Sequence, residues 1–370
     1  MRAVPAPMPE ADDLVPGSAL SPGVVLRAEL EARGLTQTDL AARTGLSAKH
    51  VNQVVQGVVP LSPEVALLLE RTLGVPSRMW NALEANYRDA HIRRVGLERL
   101  ETHTSWLATF PTAELVRRGV LSQLASPGER VEQLLRFFGV ADPDAWDRMY
   151  DEPVAAFRRA QHLSATKTST AVWLRLAEKS AEQLMMQQDV AGYSAKRLRQ
   201  QLPVLRALTV ERDDSHALRE LRRVCATVGV LVVFEPQVKG TGVQGATRWL
   251  GEHPIVALSD RYKWADVLWF SFFHELAHVL LHPRRCTYVA LGTGGDDANG
   301  EEAAADNFAA DLLIPASNDA TVVRLRTPNE MKEFAKSIGI DPGIVAGRVA
   351  RETGDWKTAS ILRRQFNVDV

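Results

Sequence analysis

The stretch FSFFHELAHVLLH, residues 270–282, combines a long apolar run with two histidines that are spaced four residues apart. Positions i and i+4 share one face of an α-helix, so His274 and His278 can reach the same ion. Glu275 follows the first histidine and lies close to such an ion without being needed as a ligand. The apolar setting favours this interpretation over a chance match on a surface helix, because buried polar groups are costly unless paired. The spacing predicts a Zn²⁺ centre in which Glu275 takes a proton from the attacking water.

His282 lies too far along the same helix to be the third ligand. It follows His274 by eight residues, which is about 12 Å at about 1.5 Å per residue. Zinc–nitrogen bonds of about 2.1 Å cannot bridge that distance from one straight helix. We interpret His282 as a residue that supports a ligand, or as the residue that ends the helix before Pro283.

A second helix is predicted over residues 300–315, which are rich in alanine and end in a proline. Glu302 and Asp306 lie four residues apart and therefore on one face of it. The pattern predicts that Glu302 is the third ligand and that Asp306 accepts the other ring N–H of a ligating histidine. Glu301 competes for the ligand role, and acidic residues also favour helix N-termini on electrostatic grounds alone. Two histidines and one glutamate leave a fourth position for water, as in catalytic zinc sites.

Composition bounds the class of protein. A chain of 370 residues can form two or three domains, and 45% hydrophobic with 24% charged residues is ordinary for globular proteins. No uncharged apolar run of about 18 residues occurs, so no membrane partner is expected. The two cysteines, Cys225 and Cys286, stand outside any pairing motif, which argues for the cytoplasm. The net charge of −1 means that any DNA contact must come from a local patch.

The N-terminal part of the chain carries the signals of a small helical bundle. Residues 1–21 hold prolines and acids where a signal peptide needs an apolar core, so a disordered arm is expected. In residues 22–90, helices are predicted to follow the N-caps Thr36 and Ser47, with a glycine turn at Gly45 between them. Two short helices joined in this way indicate a helix-turn-helix, whose second helix enters the DNA major groove.

Polar side chains on these two helices are predicted to contact double-stranded operator DNA. Amide side chains can read adenine edges, and lysine and N-terminal hydroxyl groups can meet phosphates. A bundle that docks onto another protein instead is the alternative. The predicted contacts are Thr36, Gln37, Ser47, Lys49, His50, Asn52, Gln53 and Gln56.

The remaining chain predicts a mainly α fold with a small β-sheet (α+β). Residues 91–216 carry helical runs and are expected to form a helical connector. Residues 229–234, 245–250 and 255–258 are short, β-branched or bounded by turns, and predict three strands. A small sheet followed by the zinc helix indicates a minimal zincin-type peptidase domain over residues 217–370, in which an edge strand can hold an extended peptide.

A peptidase also needs a donor for the oxyanion, and the sequence does not choose one. Each candidate also fits a surface position or a salt bridge. The candidates are Arg248, Tyr262, Lys263 and Arg348.

Two parts of the chain resemble known families. Residues 22–90 resemble the DNA-binding module of HigA-type antitoxins in the Cro/repressor (XRE) class. The matching strings are Leu35-Thr36-Gln37, Gly45-Leu46-Ser47, Asn52-Gln53-Val54 and WNALEANY at 80–87. The chain from about residue 217 resembles the ImmA/IrrE metallopeptidase family. The matching strings there are GATRWL at 245–250, His274 to His278, Glu302 to Pro315 and DPGIVAGR at 341–348.

The resemblance implies a gluzincin-like zinc endopeptidase joined to a transcriptional regulator. His274, His278 and Glu302 take the ligand roles and Glu275 that of the base. The implied substrate is a repressor, an antitoxin or the chain itself, cleaved in a stress, toxin–antitoxin or mobile-element response. The alternative is a non-proteolytic repressor or antitoxin of the helix-turn-helix type, in which the zincin fold is a sensor or a structural domain. A homodimer is also expected.

Overall fold

The computed structural model describes residues 20–150, 167–261, 263–282, 288–290 and 300–367. Contacts within the chain divide it into two compact units. Unit 1 comprises Met1–Thr104 and Ser126–Glu132, and unit 2 comprises Ser105–Ala125 and Gln133–Val370. No helix in the described ranges is long and apolar enough to cross a membrane.

Unit 1 contains a bundle of helices whose first turns are fixed by side-chain caps. The hydroxyl groups of Ser21, Thr36, Ser47 and Ser62 each accept a main-chain N–H that would otherwise lack a partner in the helix. Gly45 ends the second helix with a φ of 75°, a conformation that favours glycine. The helices are α1 (Pro22–Ala32), α2 (Gln37–Thr44), α3 (Ala48–Val55), α4 (Pro63–Leu73) and α5 (Ser77–Leu100).

These helices reproduce the predicted helix-turn-helix order. α2 follows Thr36 and α3 follows Ser47, as the N-caps predicted, whereas Gln56 is the C-cap of α3 and not part of it. Residues 1–19 of the predicted arm lie outside the described residues. Ser21, the last residue of that arm, is the N-cap of α1. α1 approaches the end of α3 so closely that a Cβ on Gly23 would lie 2.3 Å from the Val55 carbonyl oxygen.

The chain continues through helices that lead into a layered structure. The helices before the sheet are α6 (Thr104–Leu107), α7 (Thr112–Arg117), α8 (Pro127–Phe138), α9 (Lys167–Gln187), α10 (Ala195–Ala207) and α11 (Asp214–Thr227). Residues 143–150 are also helical. The later helices are α12 (Ala265–Leu281), α13 (Glu301–Leu313), α14 (Asp319–Val322), α15 (Pro328–Ile338), α16 (Pro342–Thr353) and α17 (Trp356–Ser360).

A mixed sheet forms the centre of unit 2. Its strands are β1 (Leu231–Phe234), β2 (Gly245–Leu250), β3 (His253–Leu258) and β4 (Tyr288–Ala290). The order is β1-β3-β2-β4, with β1 parallel to β3 and β2 antiparallel to both β3 and β4. Successive side chains of a strand point to opposite faces. Thr247 accordingly contacts Glu275 of α12, and Arg248 pairs with Glu178 of α9 at 2.7 Å on the other face.

The structure differs from the predicted strands at three places. β1 begins at Leu231, because Gly229 adopts a φ of 86° and turns the chain. β3 begins at His253, because it pairs with Leu250 across a tight turn. β4 was not predicted, since three residues are too few to establish a period.

The limits of the predicted domains also fall differently from the compact units. Residue 90 lies inside α5, and the predicted connector is divided between the two units. α9 packs on the sheet, where Trp173 donates its indole N–H to the Glu235 carbonyl oxygen at 3.0 Å. A helix with a wide buried face needs such a partner, and the sequence alone did not identify it.

Candidate metal centre

α12 presents the two histidines from a helix that is buried on nearly all sides. Trp269, Phe272 and Phe273 lie in the core of unit 2 beside them. His274 and His278 are themselves buried, and their ring centres lie 4.8 Å apart, as expected for positions i and i+4. The local helix therefore fixes the distance between the two imidazoles.

Glu302 meets both imidazoles from the first turn of α13. Its carboxylate oxygens lie 3.2 Å from His274 Nε2 and 3.5 Å from His278 Nε2, and the two Nε2 atoms are 3.1 Å apart. Bonds of about 2.1 Å at a tetrahedral angle place two ligand atoms about 3.4 Å from each other. The three distances therefore fit one small metal ion. The donor set of two imidazoles and one carboxylate is the type that Zn²⁺ prefers in catalytic sites.

The other ring nitrogens of both histidines are held by neighbouring side chains. His274 donates its Nδ1–H to Asp306 Oδ1 at 2.8 Å, one turn after Glu302 on α13. The Nδ1 atoms of His278 and His282 are also 2.8 Å apart. These contacts orient each Nε2 toward the cluster. His282 is at the same time the C-cap of α12, so it combines the two positions that the sequence left open.

The two histidines differ in their affinity for protons. Burial disfavours a charged His274, but hydrogen bonds to Asp306 and Glu302 outweigh it and raise the pKa of His274 to about 10. Burial, together with the neighbouring His274 and His282, lowers the pKa of His278 to about 2. His278 is therefore neutral at physiological pH. His274 must release a proton before it can ligate a metal, so acid weakens metal binding.

Glu275 is wholly buried and lies between α12 and the sheet. Thr247 Oγ1 is 2.7 Å from Glu275 Oε2 and 2.8 Å from the Glu275 carbonyl oxygen, so its hydroxyl hydrogen can be donated to either. Gly245 lies on the same face of β2, and a Cβ there would be 2.7 Å from Glu275 Oε1. The absence of a side chain at Gly245 therefore makes room for the carboxylate.

Thr247 and Gly245 were not identified from the sequence as site residues. A glycine inside a strand is a signal of close approach by another group. That signal gives no partner, because Glu275 lies on another element 30 residues after Gly245. The partner follows only from the packing of α12 on β2.

The arginine candidates for the oxyanion are engaged in ion pairs with other acids. Arg248 pairs with Glu178 on the face of the sheet opposite Glu275. Arg348 pairs with Asp319 at 3.1 Å and with Glu352 at 2.9 Å. Lys263 is exposed. Tyr262 lies outside the described residues.

The predicted DNA contacts lie together on the helix-turn-helix of unit 1. Val51, Val54 and Val55 bury one side of α3 in the bundle core. The Thr36 and Ser47 hydroxyls both cap helices, and Thr36 also bonds Asp39. The remaining candidates are partly or fully exposed on or beside α2 and α3. They are Gln37, Lys49, His50, Asn52, Gln53 and Gln56.

Comparison with known proteins finds a separate match for each of these regions. Residues 26–80 match the family model described as helix-turn-helix. Residues 225–326 match the model described as the IrrE N-terminal-like domain, which is a peptidase family. Two separate parts of the chain are thus similar to a helix-turn-helix module and to an IrrE-type domain.

Two solved structures are similar to part of the chain. One is an addiction module antidote protein of a HigA family from Coxiella burnetii, with 20% identity over 23% of this chain and 94% of that chain, at a TM-score of 0.22. The other, from Nostoc punctiforme, is assigned as the antidote protein of a plasmid maintenance system. It has 21% identity over 23% of this chain and 93% of that chain, at a TM-score of 0.23. No curated protein matches the chain.

Proposed function

We propose that this chain is a DNA-binding regulator that hydrolyses peptide bonds at a Zn²⁺ ion held by His274, His278 and Glu302. The observation that carries the proposal is the convergence of three ligand atoms within 4.8 Å of one another, beside the buried carboxylate of Glu275. The match of residues 225–326 to a peptidase family supports the same reaction class.

The chain's own residues divide the chemistry between binding and proton transfer. A bound Zn²⁺ would supply a Lewis acid and lower the pKa of water to about 7. Glu275 takes a proton from the attacking water and passes it to the leaving amine. Thr247 orients Glu275 through the contact at 2.7 Å, and Asp306 orients His274 at 2.8 Å. An extended substrate would add to an edge of the sheet, and β1 and β4 are the edge strands among the described residues.

The substrate that we propose is a repressor or antitoxin, or this chain itself. α3 would read operator DNA through Asn52 and Gln53, while Lys49 meets phosphate. The match of residues 26–80 to helix-turn-helix proteins supports this half of the proposal. Cleavage would then remove a regulator in response to a signal, and a homodimer would fit a palindromic operator.

The test is cleavage by the full chain loaded with Zn²⁺. It is incubated with DNA and with the product of a neighbouring gene, and the fragments are read by mass spectrometry. Glu275→Gln should retain Zn²⁺ but lose activity by a factor of about 10² to 10⁴, which is the usual contribution of a general base. Glu301→Gln is the matched control, since it removes a neighbouring charge outside the cluster and should leave activity unchanged.

Two results would contradict the peptidase proposal. Undiminished cleavage by Glu275→Gln would remove Glu275 from the mechanism. Absence of cleavage by zinc-loaded wild type, with DNA binding intact, would leave a non-proteolytic regulator in which the metal is structural. If the chain cleaves itself in cis, the fraction cleaved per unit time should be independent of protein concentration. If one copy cleaves another in trans, that fraction should rise with protein concentration.

A further inference from the structure

Arginines of α10 reach the C-terminal ends of both helices that supply the predicted metal ligands. Arg199 donates from Nη2 to the carbonyl oxygen of Leu280 at 3.2 Å, in the last turn of α12. Arg206 donates from Nε to the carbonyl oxygen of Leu312 at 2.8 Å and from Nη2 to that of Leu313 at 2.9 Å. Leu312 and Leu313 are the last residues of α13.

A guanidinium at these positions satisfies groups that the helices leave open. The last carbonyls of an α-helix have no partner within the helix, and the helix dipole makes that end attractive to a cation. Arg206 also donates from Nη1 to the carbonyl oxygen of Ile338 at 2.8 Å, at the end of α15. Burial lowers the pKa of Arg206. Within the described ranges, the donors of this side chain meet main-chain carbonyls only.

The two arginines are placed to fix the two helices relative to each other. They are seven residues apart, or about two helical turns and 10 Å, and therefore project from one side of α10. Leu280 follows His278 by two residues, so Arg199 acts next to a ligand. α13 runs about 15 Å from Glu302 to Leu312. Because a helix is stiff along its axis, a shift at Leu312 moves Glu302 by a similar amount.

We propose that Arg199 and Arg206 are positioning residues that hold α12 and α13 in the register at which Glu302 meets both histidines. Metal affinity then depends on α10, which lies before residues 225–326, the segment that matches the peptidase family. The inference rests on the metal site of the proposed function. Leu198, Leu202 and Leu205 support it, because they anchor α10 in the same core as α12.

The test measures the Kd for Zn²⁺ of full-length variants by competition with a chromophoric chelator. Arg206→Gln should raise the Kd at least tenfold and Arg199→Gln severalfold, because each removes a charged clamp from one ligand helix. Arg197→Gln is the matched control. Arg197 lies on the same helix but donates to the carbonyl oxygens of Thr227 and Gly192, outside both ligand helices. It should leave the Kd unchanged.

Two further measurements separate positioning from general stability. The visible spectrum of the Co²⁺-loaded protein reports coordination geometry, and Arg206→Gln should weaken the bands of a four-coordinate site. Thermal unfolding of the metal-free variants reports stability alone. Arg206→Lys keeps the charge but loses the planar fork that serves two helix ends at once, so its Kd should be intermediate. If Arg206→Gln does not fold, Arg206→Lys and Arg199→Gln carry the test.

A wild-type Kd in Arg206→Gln and Arg206→Lys, together with reduced thermal stability, would overturn the positioning role and leave the proposed function intact. An equal rise in Kd for Arg197→Gln would overturn it too, because the effect would then be general to α10. If the wild type binds no metal, the proposed function fails and this inference fails with it.

Discussion

Gly245 of β2 lies so close to the proposed base, Glu275, that a side chain there would displace its carboxylate. An added Cβ would lie 2.7 Å from Glu275 Oε1, 2.9 Å from Cγ and 3.1 Å from Cδ. Glu275 is wholly buried. The space at Gly245 therefore determines where the carboxylate of the proposed base can lie.

Gly245→Ala should keep Zn²⁺ and lose cleavage by roughly 10²-fold, because a displacement of about 1 Å in a reacting group has that effect. Its free energy of unfolding should fall by about 1–3 kcal/mol from overpacking. Gly96→Ala on α5 is the control, since a Cβ there meets nothing within 4 Å. The readouts are Kd for Zn²⁺, cleavage rate and denaturant unfolding. Wild-type cleavage by Gly245→Ala would contradict the geometry of the base.

The two histidines predict a stability maximum for the metal-free protein near pH 6.5. The pKa of His274 is raised to about 10. Its stabilising contribution to the free energy of unfolding is therefore complete below about pH 6.5 and is lost as the pH rises to about 10. The pKa of His278 is lowered to about 2. The contribution of this neutral ring to the free energy of unfolding is therefore complete above about pH 6.5 and is lost as the pH falls toward 2.

Chelator-treated protein, unfolded with denaturant across this range, should therefore lose stability on both sides of the maximum. His274→Gln removes the titrating ring and should flatten the alkaline side relative to wild type. An alkaline side of equal slope in both proteins would show that other groups cause it.

At the scale of the element, α3 carries the proposed DNA readout. Its buried face is formed by Val51, Val54 and Val55, so the polar residues between them must face outward. Asn52→Ala and Gln53→Ala should each weaken binding to the operator by about 1–3 kcal/mol if they read base edges. Lys49→Ala should weaken binding to all sequences alike. It should also reduce the slope of log affinity against log salt concentration by about one.

A mobility-shift titration at several salt concentrations measures these effects. Asn81→Ala on α5 is the matched control, because it removes an exposed amide from outside α2 and α3. Unchanged affinity in Asn52→Ala and Gln53→Ala would favour a protein-docking bundle over a DNA-binding one.

Agreement between sequence and structure is closest where the determinants are local. The caps Thr36 and Ser47 set the starts of α2 and α3, and the spacing of His274 and His278 placed both rings together. The spacing to Asp306 favoured Glu302 over Glu301 as the third ligand, but the distance from Glu302 to the two histidines is not set locally. Glu302 of α13 reaches the two histidines of α12 at distances that depend on how α12 and α13 pack against each other.

At the scale of the whole molecule, metal binding should increase amide protection only in the helices that the ligands join. Zn²⁺ at 1,000 times its Kd stabilises the folded state by about 4 kcal/mol. α12 and α13 are joined at the cluster, so their amides should gain protection from hydrogen exchange when Zn²⁺ is added. Amides of α1 to α4 should not change, because the ligands lie in unit 2.

Hydrogen exchange with mass readout, with and without chelator, tests this expectation. Glu302→Gln is the control, because it removes one ligand and should reduce the protection conferred by Zn²⁺. Equal protection throughout the chain, or none in α13, would contradict a site that joins α12 to α13.

The sequence by itself determined the helical spacing of the two histidines, the caps of the helix-turn-helix and the mainly α class with a small sheet. These features follow from interactions within a few residues along the chain. The tertiary structure alone decided the distances between Glu302 and both imidazoles, the contacts of Thr247 and Gly245 with Glu275, and those of Arg199 and Arg206 with the ends of α12 and α13. Those contacts join residues far apart in the chain, and such distances are fixed only when the whole core packs.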